Sequence, residues 1–165
     1  MTKLNPLADP KDNKRYWDQL KVTDPKFTKK VNKGFGDITT IDPMYQIGKM
    51  TEVFGPVGDG WGYDVNYIHT DQLIFAEVTV WTGCKANNYG PVCSVQKLFR
   101  KTGALDDEAP KKAMTDALTK AMSHLGVSAD VFLGMHDNSK YIEKVTNEIA
   151  VANKSKVQEL KTNAK

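Results

Sequence analysis

Trp61-Gly62-Tyr63-Asp64-Val65-Asn66-Tyr67-Ile68-His69-Thr70-Asp71-Gln72-Leu73-Ile74-Phe75-Ala76-Glu77-Val78-Thr79-Val80-Trp81-Thr82 is the stretch that decides the fold. Side chains in a strand alternate between faces, so Trp61, Tyr63, Val65 and Tyr67 share one side of a strand over 61–69. Residues 73–82 are rich in β-branched and aromatic side chains, which suit a pleated, half-buried surface. Only the short polar link around Thr70-Asp71-Gln72 separates the two runs, and that predicts an antiparallel hairpin. Downstream, Tyr89 to Phe99 reads as a third strand, with Gly90 and Pro91 at its start.

Helices flank these strands. Asp42 can cap a helix over 42–54, because its carboxylate accepts from the free N–H groups of the first turn. Pro43 lies at the first helical position, where a missing N–H costs nothing. Met44, Ile47, Met50, Val53 and Phe54 make one apolar stripe, and Gly55-Pro56 stops the helix. A longer helix follows Thr102-Gly103. Asp106 or Asp107 is its expected cap, and Pro110 is tolerated because it falls in the first turn. Ala109, Ala113, Met114, Ala117, Leu118, Ala121, Met122 and Leu125 recur at helical spacing, and Gly126 ends the helix. So many small residues let a helix lie close on a sheet. The expected fold is α+β: an antiparallel β-β-β-α core, with an N-terminal helix and a long helix packed on the sheet.

The ends of the chain are polar. Residues 1–25 contain Pro6, Pro10 and Pro25 and read as an arm, with a short helix around 13–20 that turns Tyr16, Trp17 and Leu20 inward. Residues 26–138 form the expected globular unit. Residues 139–165 read as a polar tail with sparse apolar residues, either one amphipathic helix or ordered only on a partner.

The 165 residues suffice for one domain with a real core. No apolar run approaches the length of a membrane span, and Met1 to Pro10 lacks the apolar core of a signal peptide. A cytoplasmic protein with no membrane contact is expected. In that reducing compartment Cys84 and Cys93 stay thiols, read as packing residues in strands.

Several chemistries lack their motifs. No G-x-x-x-x-G-K-[ST] loop is present, and the glycine-rich turn Gly55, Gly58, Gly60, Gly62 leads into a strand. A nucleotide cradle needs a helix N-terminus there. His69, His124 and His136 are scattered, with His124 on the polar side of the long helix. Asp37, Asp42, Asp59 and Asp64 show no spacing that converges on a two-metal site. A non-enzymatic protein without cofactor or metal is the expectation; a metal-dependent nuclease is a rival.

Charge distribution says more than the net charge of +3. Between Met1 and Lys33, nine bases face four acids; between Gly34 and Phe75, Lys49 alone faces six. Bases return at Lys97, Arg100 and Lys101, and again at Lys111, Lys112 and Lys120. Clustered bases in a near-neutral protein point to a polyanion path. Lys and Arg on phosphates, with rings stacking on bases, hold single strands by the backbone. Such a mode suits annealing, where bases must stay free to pair.

The pieces Lys33-Gly34-Phe35-Gly36-Asp37-Ile38-Thr39-Thr40-Ile41-Asp42-Pro43, Val53-Phe54-Gly55-Pro56 and Gly60-Trp61-Gly62-Tyr63 resemble phage Sak-type single-strand annealing proteins, relatives of the eukaryotic Rad-type annealing recombinase. Thr115-Asp116-Ala117-Leu118-Thr119-Lys120-Ala121-Met122-Ser123-His124-Leu125-Gly126 is similar to that family's core helix, and Ala129-Asp130-Val131-Phe132 follows it. The likeness spans roughly residues 26–134. It implies a β-β-β-α core and a homo-oligomer, ring or helical filament. It also implies ATP-independent annealing of complementary single-stranded DNA in recombination and repair, in the cytoplasm of a bacterial host. By position, the DNA-binding bases are Lys111, Lys112 and Lys120 on the core helix, Arg100 and Lys101 at the strand end, and Lys30 or Lys33 early in the chain; Lys97 joins them from the charge pattern. Thr119 and Ser123 depart from the eukaryotic relative, where further bases are expected. A host single-strand-binding protein is the expected partner of the C-terminal tail. A passive strand-protecting protein and a protein-interaction adaptor are the other rivals.

Overall fold

The computed structural model describes residues 12–32, 34 and 36–163. Three strands, β3 (Trp61–His69), β4 (Leu73–Thr82) and β5 (Cys84–Lys97), form one antiparallel sheet in that order. The register pairs Trp61 with Thr82 and His69 with Ile74, so β3 and β4 are the predicted hairpin with the predicted bounds. On β4 the residues Ile74, Ala76, Val78 and Val80 are buried, and of their neighbours on the other face Trp81 is buried and the rest are half-exposed.

Helix α3 (Ala109–His124) covers the buried face. Ala109, Ala113, Ala117 and Ala121 recur every four residues and are fully buried. With only methyl groups between them, helix and sheet approach closely. Ile74 and Ala76 pack under the start of α3, and Val78, Val80 and Trp61 under its end. Each larger side chain buried here, such as Met122 or Leu118, contributes about 1.5–3 kcal/mol.

Helix α2 (Pro43–Phe54) sends Met50 and Phe54 into the same core. The Asp42 carboxylate accepts from Met44 N–H at 2.8 Å, the predicted cap. Met44 departs from the predicted stripe. It lies in the first turn, ahead of the core, and is exposed.

Other expectations need correction. The third strand begins at Cys84 rather than Tyr89, because the run through Asn87, Asn88 and Gly90, which looks like turn chemistry, stays paired with β4. Cys84 and Cys93 do lie on β5, but both are exposed free thiols; β5 is an edge strand, and Cys93 falls in the row opposite Glu77 on the uncovered face. Glu108, not Asp106 or Asp107, is the cap residue of α3, and it makes no side-chain cap. Asp106 instead accepts from Glu108 N–H at 3.3 Å, one step ahead of the helix.

Two strands were not anticipated. β1 (Thr28–Asn32) and β2 (Asp37–Ile41) pair antiparallel, Thr28 against Ile41 and Asn32 against Asp37. The described part of the expected arm is docked rather than loose. Helix α1 (Arg15–Leu20) buries Leu20 completely, although Trp17 stays partly exposed. Gly126 makes that docking possible: its φ is +103°, and a Cβ there would lie 2.7 Å from Trp17 Cα. Past α4 (Ala129–Phe132), helix α5 (Ser139–Asn163) takes up the expected tail. Val145 is buried at its base, and residues 150–161 are exposed. No helix among the described residues is long and apolar enough to cross a membrane.

Candidate nucleic-acid interface

The predicted bases gather into two groups, one at each end of α3. The first is built by the turn between β5 and α3. Arg100 N–H donates to Ala104 carbonyl, Gly103 N–H to Arg100 carbonyl, and Asp106 N–H to Leu98 carbonyl, which folds residues 98–106 back on themselves. That turn brings Arg100 beside the first residues of α3. Arg100 Nη2 lies 3.0 Å from Asp107 and 3.5 Å from Asp106, while Lys112 Nζ lies 2.7 Å from Asp106. Lys111 pairs with Glu108 one turn away. Lys97 and Lys101 are exposed nearby on the chain and form no ion pair among the described residues.

Three consecutive acids therefore hold three of the predicted bases. The Lys112 ammonium, by its hydrogen bond, holds the Asp106 carboxyl below the ordinary carboxylate range. Ion pairs of this kind, each with an exposed base, are weak and screened by salt. In the sequence these acids read only as cap and dipole residues; their spacing of three to seven residues from the bases is the available signal.

The second group lies at the other end. Lys120 Nζ sits over the Phe132 ring, 5.7 Å from its centre. Lys30, on β1, reaches Asp137 at 3.7 Å. Both bases thus approach the short segment 132–137, against which β2 packs through α4. Lys112 and Lys120 are about 12 Å apart along the helix axis. Lys33 lies outside the described residues. Thr119 donates to the Gln46 side chain at 3.1 Å, and Ser123 to the Lys120 carbonyl at 2.7 Å. Thr119 thus links α3 to α2, and Ser123 is buried with its hydroxyl turned back on its own helix.

The histidines also find places. The Tyr89 hydroxyl meets His124 Nδ1, tying the edge strand to α3. His136 is buried against Asp130, a contact the sequence did not announce. Asp42 is engaged as a helix cap and Asp64 with Lys85. No group of three His, Cys, Asp or Glu side chains is placed to hold a metal ion among the described residues. No protein-family model matches the chain, and no curated protein matches it in sequence.

Proposed function

We propose that this protein binds single-stranded DNA and, as an oligomer, promotes ATP-independent annealing of complementary strands in recombination. One observation carries the reading. The separate pieces of sequence that resemble annealing proteins share a single core: Phe54 and Trp61 from the first group pack with Ala117, Leu118, Ala121 and Met122 from the second. The predicted bases Lys97, Arg100, Lys101, Lys111, Lys112 and Lys120 stay exposed on α3 and in the segment before it.

In this reading phosphates exchange for the carboxylates on Arg100, Lys111 and Lys112, and contact Lys120 and Lys30. Contacts to phosphate carry no sequence preference. They hold a strand with its pairing edges free, and pairing with a complement is downhill without ATP. Neutralising phosphates releases counterions, so affinity falls steeply with salt.

The test is an annealing assay with two labelled complementary oligonucleotides at low salt, without nucleotide, alongside sizing of the protein with and without DNA. Pairing faster than the protein-free rate, by a large assembly, is expected. Binding without acceleration would make the protein a passive protector. Magnesium-dependent cleavage abolished by alanine at the aspartates would make it a nuclease. Absence of binding at low salt would leave an adaptor.

A further inference from the structure

Beside the first group of bases, the chain leaves β5 as Lys97-Leu98-Phe99-Arg100-Lys101. Leu98 turns inward and packs with Ile74, Ala76 and Ala113. Lys97, the last residue of β5, and Phe99, just past it, are both exposed and face the same hollow. Phe99 is 45% exposed although it is bridged to Leu105 in a folded turn. An open hollow of about 450 Å³ lies beside it, lined by Asp71, Gln72, Leu73, Lys97 and Phe99. Beneath it Leu98 N–H donates to the Gln72 carbonyl at 2.8 Å and joins the strand end to the β3–β4 turn.

We propose that this hollow holds one unpaired nucleobase, stacked on Phe99, with Lys97 and Arg100 on the flanking phosphates. The proposal rests on the single-strand-binding reading and adds to it a residue and a mode of contact. Several features agree. The volume lies within the 300–1,000 Å³ typical of small-molecule pockets. An exposed ring beside a lysine, here Phe99 beside Lys97, is the arrangement that single-strand-binding surfaces use. A subunit contact at the same place would have to bury Lys97, which has no ion pair among the described residues, whereas a nucleotide supplies the opposing charge. Stacking uses the π-face, tolerates any base and leaves the pairing edge outward, which suits a protein that presents a strand for annealing.

Binding of the full-length protein to (dT)30 and to an abasic strand of the same length tests this. Phe99→Ala should weaken (dT)30 binding roughly five- to a hundredfold. It should leave abasic-strand binding and the salt slope unchanged, and Phe99→Trp should restore (dT)30 affinity. Lys97→Ala should weaken both strands and lower the slope by about 0.7. The proposal is overturned if Phe99→Ala binds (dT)30 like the parent, or loses both strands equally. A change in assembly size without DNA would also overturn it, since Phe99 would then be a subunit contact. If the parent binds neither strand at low salt, the single-strand reading itself fails, and the stacking site with it.

Discussion

His136 Nε2 lies 3.0 Å from Asp130 Oδ2, and both side chains are almost wholly buried. The carboxylate also accepts from Thr23 N–H at 2.9 Å, Thr23 Oγ1 at 2.7 Å and the Tyr141 hydroxyl at 3.0 Å. With an acceptor opposite it, Nε2 carries the proton. One buried carboxylate thus joins the segment after α1, the segment after α4 and the base of α5. Backbone bonds reinforce the joint, from Ser128 N–H to Leu20 carbonyl and from Asp130 N–H to Lys21 carbonyl, each 3.1 Å.

Asp130→Ala should therefore be among the most damaging single changes. It strands four donors in the interior, and the expected loss is about 3 kcal/mol or more in urea unfolding. Asp130→Asn keeps one acceptor and should lose less. A loss under about 1 kcal/mol for the alanine variant would show that the cluster is solvated rather than sealed.

Tyr141 gives the cluster an alkaline limit. Burial, followed by its hydrogen bond to Asp130, pushes its hydroxyl above the ordinary tyrosine value of 10.0. A raised folded value means that the contribution is whole below pH 10.0 and declines as pH rises above it. Tyr141→Phe should lose about 1 kcal/mol at pH 8 and show a shallower decline above pH 10. Tyr45, also raised by burial, leaves a residual slope of the same sign. Equal slopes for parent and variant in denaturation between pH 8 and 11.5 would remove Tyr141 from the account.

The combined variant Lys111→Ala, Lys112→Ala, Lys120→Ala should keep its fold, because all three side chains are exposed. Single-strand affinity and annealing should fall. If each lysine contacts one phosphate, the salt slope drops by about 2 in total. Unchanged affinity and slope in a titration between 50 and 200 mM salt would place the DNA elsewhere.

Asp106→Asn tests the acidic turn from the other side. Asparagine still accepts from Glu108 N–H but releases the charge that holds Lys112 and Arg100. Single-strand binding should tighten roughly two- to fivefold at low salt. The Asp106 carboxyl is held below its ordinary value, so its pairing persists at neutral pH and is lost only as pH falls through that lowered value. The variant's advantage should shrink over the same range. Weaker binding by Asp106→Asn would mean that the acid orients these bases for DNA instead of competing for them.

The sheet and both main helices were legible because each is written in local periodicity. Trp61 to Thr82 alternates with a period of two around a short polar link, and its strand bounds matched. The alanine stripe of α3 and the Asp42 cap of α2 were equally plain. The β1–β2 hairpin was not. Thr28–Asn32 is largely exposed, so no buried face imposes an alternation that a reader could find. The start of β5 is hidden in the sequence because Asn87, Asn88 and Gly90 are turn residues by chemistry, held in a strand here by pairing with β4.

By itself the sequence determined the β3–β4 hairpin, helices α2 and α3 and the core face of each, since period and capping act between near neighbours along the chain. It also determined that bases cluster. Only the tertiary structure decided what those bases meet. Lys120 comes to Phe132 because α3 packs on α4, Lys30 comes to Asp137 because β2, the partner of β1, packs on α4, and Arg100 meets Asp106 and Asp107 because the turn folds back. Asp130 looks like any surface acid until Thr23, 107 residues away, closes over it. Charges act through space, and distances across space are set only when the whole chain has packed.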